Sequence, residues 1–168
     1  KNVSRYIANE NLTDKWFDIL LMLIKRSNYH IGYMLDQRSN RYGNDIAINI
    51  VNEGKIKSLS YFTLWSLIKE VGCSLSVLEQ DQKKPVIGIL SQNQLNCILV
   101  DLACLAFGFK IVPIPVNATS EHVSFILKHS EVTHLFLGGK KGNDIWSDII
   151  DRSLVKTIAM DKKVKIDD

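Results

Sequence analysis

A chain of 168 residues with 46% hydrophobic side chains can bury one sizeable core. Its net charge of +3 is small and the basic residues are spread along the chain, which argues against a nucleic-acid partner. No apolar run approaches the ~18 residues of a membrane span. The start at Lys1, not a methionine, lacks the order of a signal peptide, so a cytoplasmic α/β protein is expected.

In chain order, the first segments are helical. Thr13 is placed to cap a helix whose apolar positions Trp16, Ile19, Leu20 and Leu23 recur at helical spacing. Its strongly apolar face suits packing on the rest of the chain. A peripheral membrane contact is the competing reading, weakened by a polar face that is not especially basic. A second short helix carries Ile31, Met34 and Leu35. Residues 1–37 are therefore read as an N-terminal helical extension and residues 38–168 as one α/β subdomain.

A turn at residues 41–44 leads into two strand-like runs, residues 45–50 and 58–60, flanking a hairpin signal at residues 52–55. Ser60 is placed to cap a helix with Leu64, Leu67, Ile68, Val71, Leu75 and Leu78 at spacings of three and four. After a polar loop comes the organising stretch, residues 84–119. Val86-Ile87-Gly88-Ile89-Leu90 has the length of a buried strand, and Ser91-Gln92-Asn93 is a polar turn. Leu95, Ile98, Leu99, Leu102 and Leu105 or Ala106 then share one helical face, Gly108 stops the helix, and residues 111–115 form a second strand. Strand, helix and strand in about thirty residues is a βαβ unit with parallel strands. Ile98, Leu99, Leu102, Val86, Ile87, Ile89 and Val112 are expected to be almost fully buried.

Thr119 or Ser120 should cap the next helix, with Glu121 in its first turn and Val123, Ile126 and Leu127 inward. Residues 133–137 form a strand, Ile145, Ile149 and Ile150 mark another helix, and residues 156–160 a last strand. This alternation predicts a mostly parallel sheet with helices on both faces.

Chemistry is harder to find. Gly138-Gly139-Lys140-Lys141-Gly142-Asn143 sits where a phosphate loop would. It lacks the glycine spacing of a dinucleotide site and the Gly-Lys-Ser/Thr ending of a triphosphate loop. His122 and His129 lie two helical turns apart and His134 falls on the next strand, a poor metal set. Asp144, Asp148 and Asp151 have surface-helix spacing. Pro113 and Pro115 suit a rigid exit from the sheet. Cys73, Cys97 and Cys104 are odd in number, match no zinc spacing and read as buried, reduced thiols. No catalytic, cofactor-binding or metal-binding residue is assigned.

Segment order carries a resemblance. Arg41-Tyr42-Gly43-Asn44-Asp45-Ile46-Ala47-Ile48, Leu59-Ser60-Tyr61-Phe62-Thr63-Leu64-Trp65 and Val86-Ile87-Gly88-Ile89-Leu90-Ser91-Gln92-Asn93 are similar to successive motifs of the adenylate-forming superfamily, the acyl-CoA and aryl-CoA synthetases. Residues 102–108 with Val112-Pro113-Ile114, and Phe125-Ile126-Leu127-Lys128-His129-Ser130-Glu131, resemble its next two. The match covers about residues 38 to 160, and the Leu-Ser-Gln-Asn turn and Lys-His-Ser-Glu helix end look most like long-chain fatty acyl-CoA synthetases. The resemblance implies a parent that converts a small-molecule carboxylate and ATP, with Mg2+, into an acyl-adenylate and pyrophosphate, and then passes the acyl group to a thiol of CoA or a carrier. It also implies that the family's phosphate loop and catalytic lysine lie beyond the matched region. The chain itself would be an inactive opening subdomain, truncated before the phosphate loop, that packs against the rest of its domain and self-associates without it. The competing reading is a stand-alone flavodoxin-like module binding a ligand between Ser91-Gln92-Asn93 and Gly138-Gly139.

Overall fold

The computed structural model describes residues 15–52, 54–79, 83–147 and 155–160. Thr13, Asp148, Ile149, Ile150 and Asp151 lie outside the described residues.

Helices α1 (Trp16–Ser27) and α2 (Ile31–Tyr42) come first. Strands β1 (Ile46–Asn52) and β2 (Lys55–Ser60) then form a separate antiparallel hairpin. Ser60 Oγ accepts the backbone N–H of Thr63 at 3.2 Å and so starts α3 (Tyr61–Ser76) as a side-chain cap. The remaining elements are β3 (Val86–Ser91), α4 (Leu95–Phe107), β4 (Lys110–Ile114), α5 (Ser120–His129), β5 (His134–Gly138), α6 (Gly139–Ser147) and β6 (Lys156–Ala159).

The four later strands make one sheet in the order β4-β3-β5-β6, every neighbouring pair parallel. Helices cover both faces, as the alternation requires. On one face α2, α3 and α4 pack with Leu35, Leu64, Ile68, Leu75, Leu99 and Ala103 buried. On the other, Val123 and Leu127 of α5 meet Leu90 and Leu135, with Ile145 of α6 against them. One predicted stop and one predicted cap hold. Gly108 ends α4 in a left-handed conformation at φ 72°, and Thr119 caps α5.

Four expectations need correction. Helix α4 buries Leu99, Val100, Ala103 and Cys104, while Ile98 is 37% exposed, Leu105 is exposed and Leu102 only half-buried. The inward face is turned about a third of a turn from the predicted stripe, on 100° per residue. The helix is apolar almost all round, so periodicity does not choose a face. The small side chains Ala103 and Cys104 allow the close approach to the sheet. Val86 and Val112 are half-buried, since Val86 opens its strand and Val112 lies on the edge strand β4.

Helix α1 buries no residue, so it does not pack into the core as its apolar face suggested. Helix α2 does more than a peripheral element would. Leu35 is buried, and Trp65 Nε1 of α3 donates to Asp36 Oδ1 at 2.9 Å. Finally, Cys73 is exposed and Cys97 only half-buried, leaving Cys104 as the buried thiol.

Candidate functional site

The chain leaves β3 through α4 toward β4, then crosses over the opposite face through α5 to reach β5 on the other side of β3. The connections from β3 and β5 therefore diverge to opposite faces. Between their C-terminal ends lies the topological switch point, where open parallel sheets bind ligands. Its walls are Ser91 to Asn93 and Gly138-Gly139, the segments singled out from sequence, because Ser91 and Gly138 are register partners.

The crevice is filled by the chain itself. Gln94 Nε2 donates to Ser91 Oγ at 3.1 Å, and Ser91 Oγ donates to the Gln92 carbonyl at 2.8 Å. A Cβ on Gly138 would collide with Gln94 Nε2 and Ser91 Oγ, and one on Gly139 would meet Gln92 Oε1 at 2.8 Å. Gly139 also has φ +71°, which side-chain-bearing residues rarely adopt. These glycines are explained by close packing of amide side chains. Next to them, Asn96 Nδ2 donates to the Met160 carbonyl and ties the first turn of α4 to the end of β6. Sequence reading stopped at Asn93 and missed Gln94 and Asn96. The available signal was an amide inside the first turn of an otherwise apolar helix.

This arrangement offers the neutral donors and acceptors of Ser91, Gln92, Gln94 and Asn96. The other sequence candidates are not gathered here. His122 and His129 are exposed on α5, the latter stacked on Phe125 with ring centroids 5.4 Å apart. His134 opens β5 at the opposite end of the sheet, where its Nδ1 lies 3.0 Å from Thr133 Oγ1. Burial, aided by Lys156, lowers its pKa. Asp144 is exposed on α6. Burial pushes the Cys104 thiol up to about 12, with Asp101 adding to the effect, so the thiolate needed for attack is scarce. Pro113 is exposed on the edge strand, where its missing N–H breaks no central ladder.

Beside Asn96 the sheet carries a second feature, an apolar cavity of about 270 Å³ between α3, α4, β5 and β6. Val71, Leu75, Leu99, Phe136, Ile158 and Met160 are among its walls. Among the described residues β6 pairs only with β5.

A family model described as AMP-binding enzyme matches residues 35–167. A search of curated proteins gave no match. Among solved structures, the N-terminal domain of FACL13 from Mycobacterium tuberculosis superposes with a TM-score of 0.67 at 21% identity, over 79% of this chain and 34% of that one. A putative long-chain-fatty-acid CoA ligase from Rhodopseudomonas palustris gives 0.68 at 17% identity, over 80% and 33%. A mutant form of coronafacic acid ligase from Pectobacterium brasiliense gives 0.68 at 20% identity, over 83% and 27%. The chain thus spans about a third or less of the length of these structures. At such identities they show the shared fold.

AMP-binding enzymes use ATP and Mg2+. The residues described here do not fit either. No three His, Cys, Asp or Glu side chains among them converge on a metal position, and Gly138 and Gly139 back onto Gln94 and Gln92 instead of open space. No catalytic step is derived through those groups. With the family model covering residues 35–167 and the parallel sheet matching its N-terminal domains in fold, the chain belongs to the AMP-binding enzyme family and represents its N-terminal portion.

Proposed function

We propose that the chain is the opening scaffold of an acid–thiol ligase that forms an acyl-adenylate, and that it makes no adenylate alone. The observation that carries this reading is the family match over residues 35–167 in a chain spanning only 34% of the FACL13 N-terminal domain. In such a ligase a carboxylate oxygen attacks ATP, pyrophosphate leaves, and a thiol then displaces AMP from the acyl group. Fatty acids as substrate and CoA as acceptor are supported by the name of one structural neighbour, the putative long-chain-fatty-acid CoA ligase, and by the Leu-Ser-Gln-Asn turn. A cytoplasmic setting accords with Cys73, exposed, and Cys97, half-buried, both standing as free thiols.

The scaffold has an unfinished side. The cavity between α3, α4, β5 and β6 presents apolar walls, and β6 forms a sheet edge among the described residues. Parallel sheets need cover on both faces and at their edges. In our reading later segments of the same domain cover this side, and without them the chain self-associates. Light scattering over a concentration series tests that, a strictly monomeric species contradicting it.

The reading frame beyond Asp168 tests the assignment itself. A glycine-rich loop ending in Pro-Lys-Gly soon after that residue is expected. A stop codon there would favour a stand-alone binding module.

A further inference from the structure

Helix α1 lies outside the family-matched residues 35–167. None of its residues is fully buried among the described residues; Ile19 and Leu20 are half-buried, and Trp16, Phe17, Leu21, Met22, Leu23 and Ile24 are all exposed, Phe17 at 63%. At 100° per residue, Trp16, Phe17, Ile19, Leu20, Leu21, Leu23 and Ile24 spread over about 200° of the helix circumference. The remaining sector holds Lys15, Lys25 and Arg26 against the single carboxylate of Asp18, interrupted only by Met22. With Lys15 at its N-cap counted, the polar face is more basic than the sequence reading held.

The charge excess is also local. Residues 15–42 hold five cations (Lys15, Lys25, Arg26, Arg38 and Arg41) and two carboxylates (Asp18 and Asp36). That surplus equals the net +3 of the whole chain, so everything outside this segment balances to zero. The basic residues are not evenly spread after all. Tyr29 and Tyr33, both exposed, meet edge to face at 5.3 Å just beyond the end of α1. Trp and Tyr rings of this kind favour the boundary between water and lipid.

We propose that α1 lies in the headgroup layer of an anionic lipid membrane, its apolar face inward and its cations snorkelling to the lipid phosphates. Twelve residues at a rise of 1.5 Å span about 18 Å, too short to cross a hydrocarbon core of about 30 Å, so the helix lies along the surface. Charge selects this occupant over a second copy of the chain. Pairing two copies of α1 would bring two positive surpluses together, whereas anionic headgroups neutralise one.

Sedimentation of the full chain with phosphatidylcholine vesicles, with and without about 30 mol % phosphatidylserine, tests the proposal. The chain should bind the anionic vesicles at least about tenfold more tightly than the neutral ones. The double variant Phe17→Asp/Ile24→Asp should lose binding to both, with an unchanged circular dichroism spectrum because neither side chain is buried. Lys25→Glu/Arg26→Glu should lose the preference for phosphatidylserine. Three results would overturn the proposal: no vesicle binding by the native chain, undiminished binding by the Phe17→Asp/Ile24→Asp variant, or an oligomer in lipid-free buffer that this variant disperses.

Discussion

Asn96 Nδ2 of α4 donates to the backbone carbonyl of Met160, the residue following β6. The bond joins residues 64 positions apart and fixes the edge strand to the first turn of the helix covering the central strands. Asn96 also lines the apolar cavity, so this amide holds one of the cavity's walls in place.

Replacing Asn96 by Ala should therefore lower stability by about 1 kcal/mol, the net worth of one such bond. Amide exchange should show more than a global loss. The N–H of Met160, bonded to the Leu137 carbonyl at 2.8 Å, should exchange faster relative to the N–H groups of β3. Equal acceleration everywhere would mean that Asn96 does not anchor β6.

The orientation of α4 makes a paired prediction. Leu99 is 2% exposed and Ile98 37%. Leu99→Ala should cost about 2–5 kcal/mol, as core truncations do, while Ile98→Ala should cost less than about 1 kcal/mol. Leu102→Ala, half-buried, should fall between them. Urea denaturation of the three variants measures this, and a larger loss for Ile98 than for Leu99 would reverse the assigned face.

His134 predicts a pH effect with a definite sign. Burial and the facing Lys156 of β6, its register partner, hold the folded-state pKa below the ordinary histidine value of 6.5. The unfolded chain thus takes up the proton more readily than the folded one, so stability falls as pH drops below 6.5 toward the folded value. His134→Asn should remove this part of the loss. The difference in melting temperature between about pH 7.5 and pH 5.5 should shrink in the variant. An unchanged difference would show that His134 contributes nothing to acid sensitivity.

These residues also show how far the sequence could be read. The hairpin, the caps at Ser60 and Thr119 and the stop at Gly108 follow from local rules, since each depends on neighbours a few positions away. The face of α4 did not follow, because a helix apolar on nearly every side leaves its rotation to packing against β3 and α3. The exposure of α1 was hidden for a related reason. An apolar stripe says that a helix wants cover, but not whether its own chain provides it. Ser91 and Gly138, paired from sequence as the walls of one crevice, are register partners 47 residues apart in sequence. The filling of that crevice by Gln94 needed three dimensions.

The most direct measurement is pyrophosphate release by the purified 168-residue chain in the presence of ATP, Mg2+ and a panel of fatty acids. If the chain is the scaffold proposed, it should release no more than a heat-treated control. Release above that control, dependent on the fatty acid, would contradict the account by showing that these residues hold a working adenylation site.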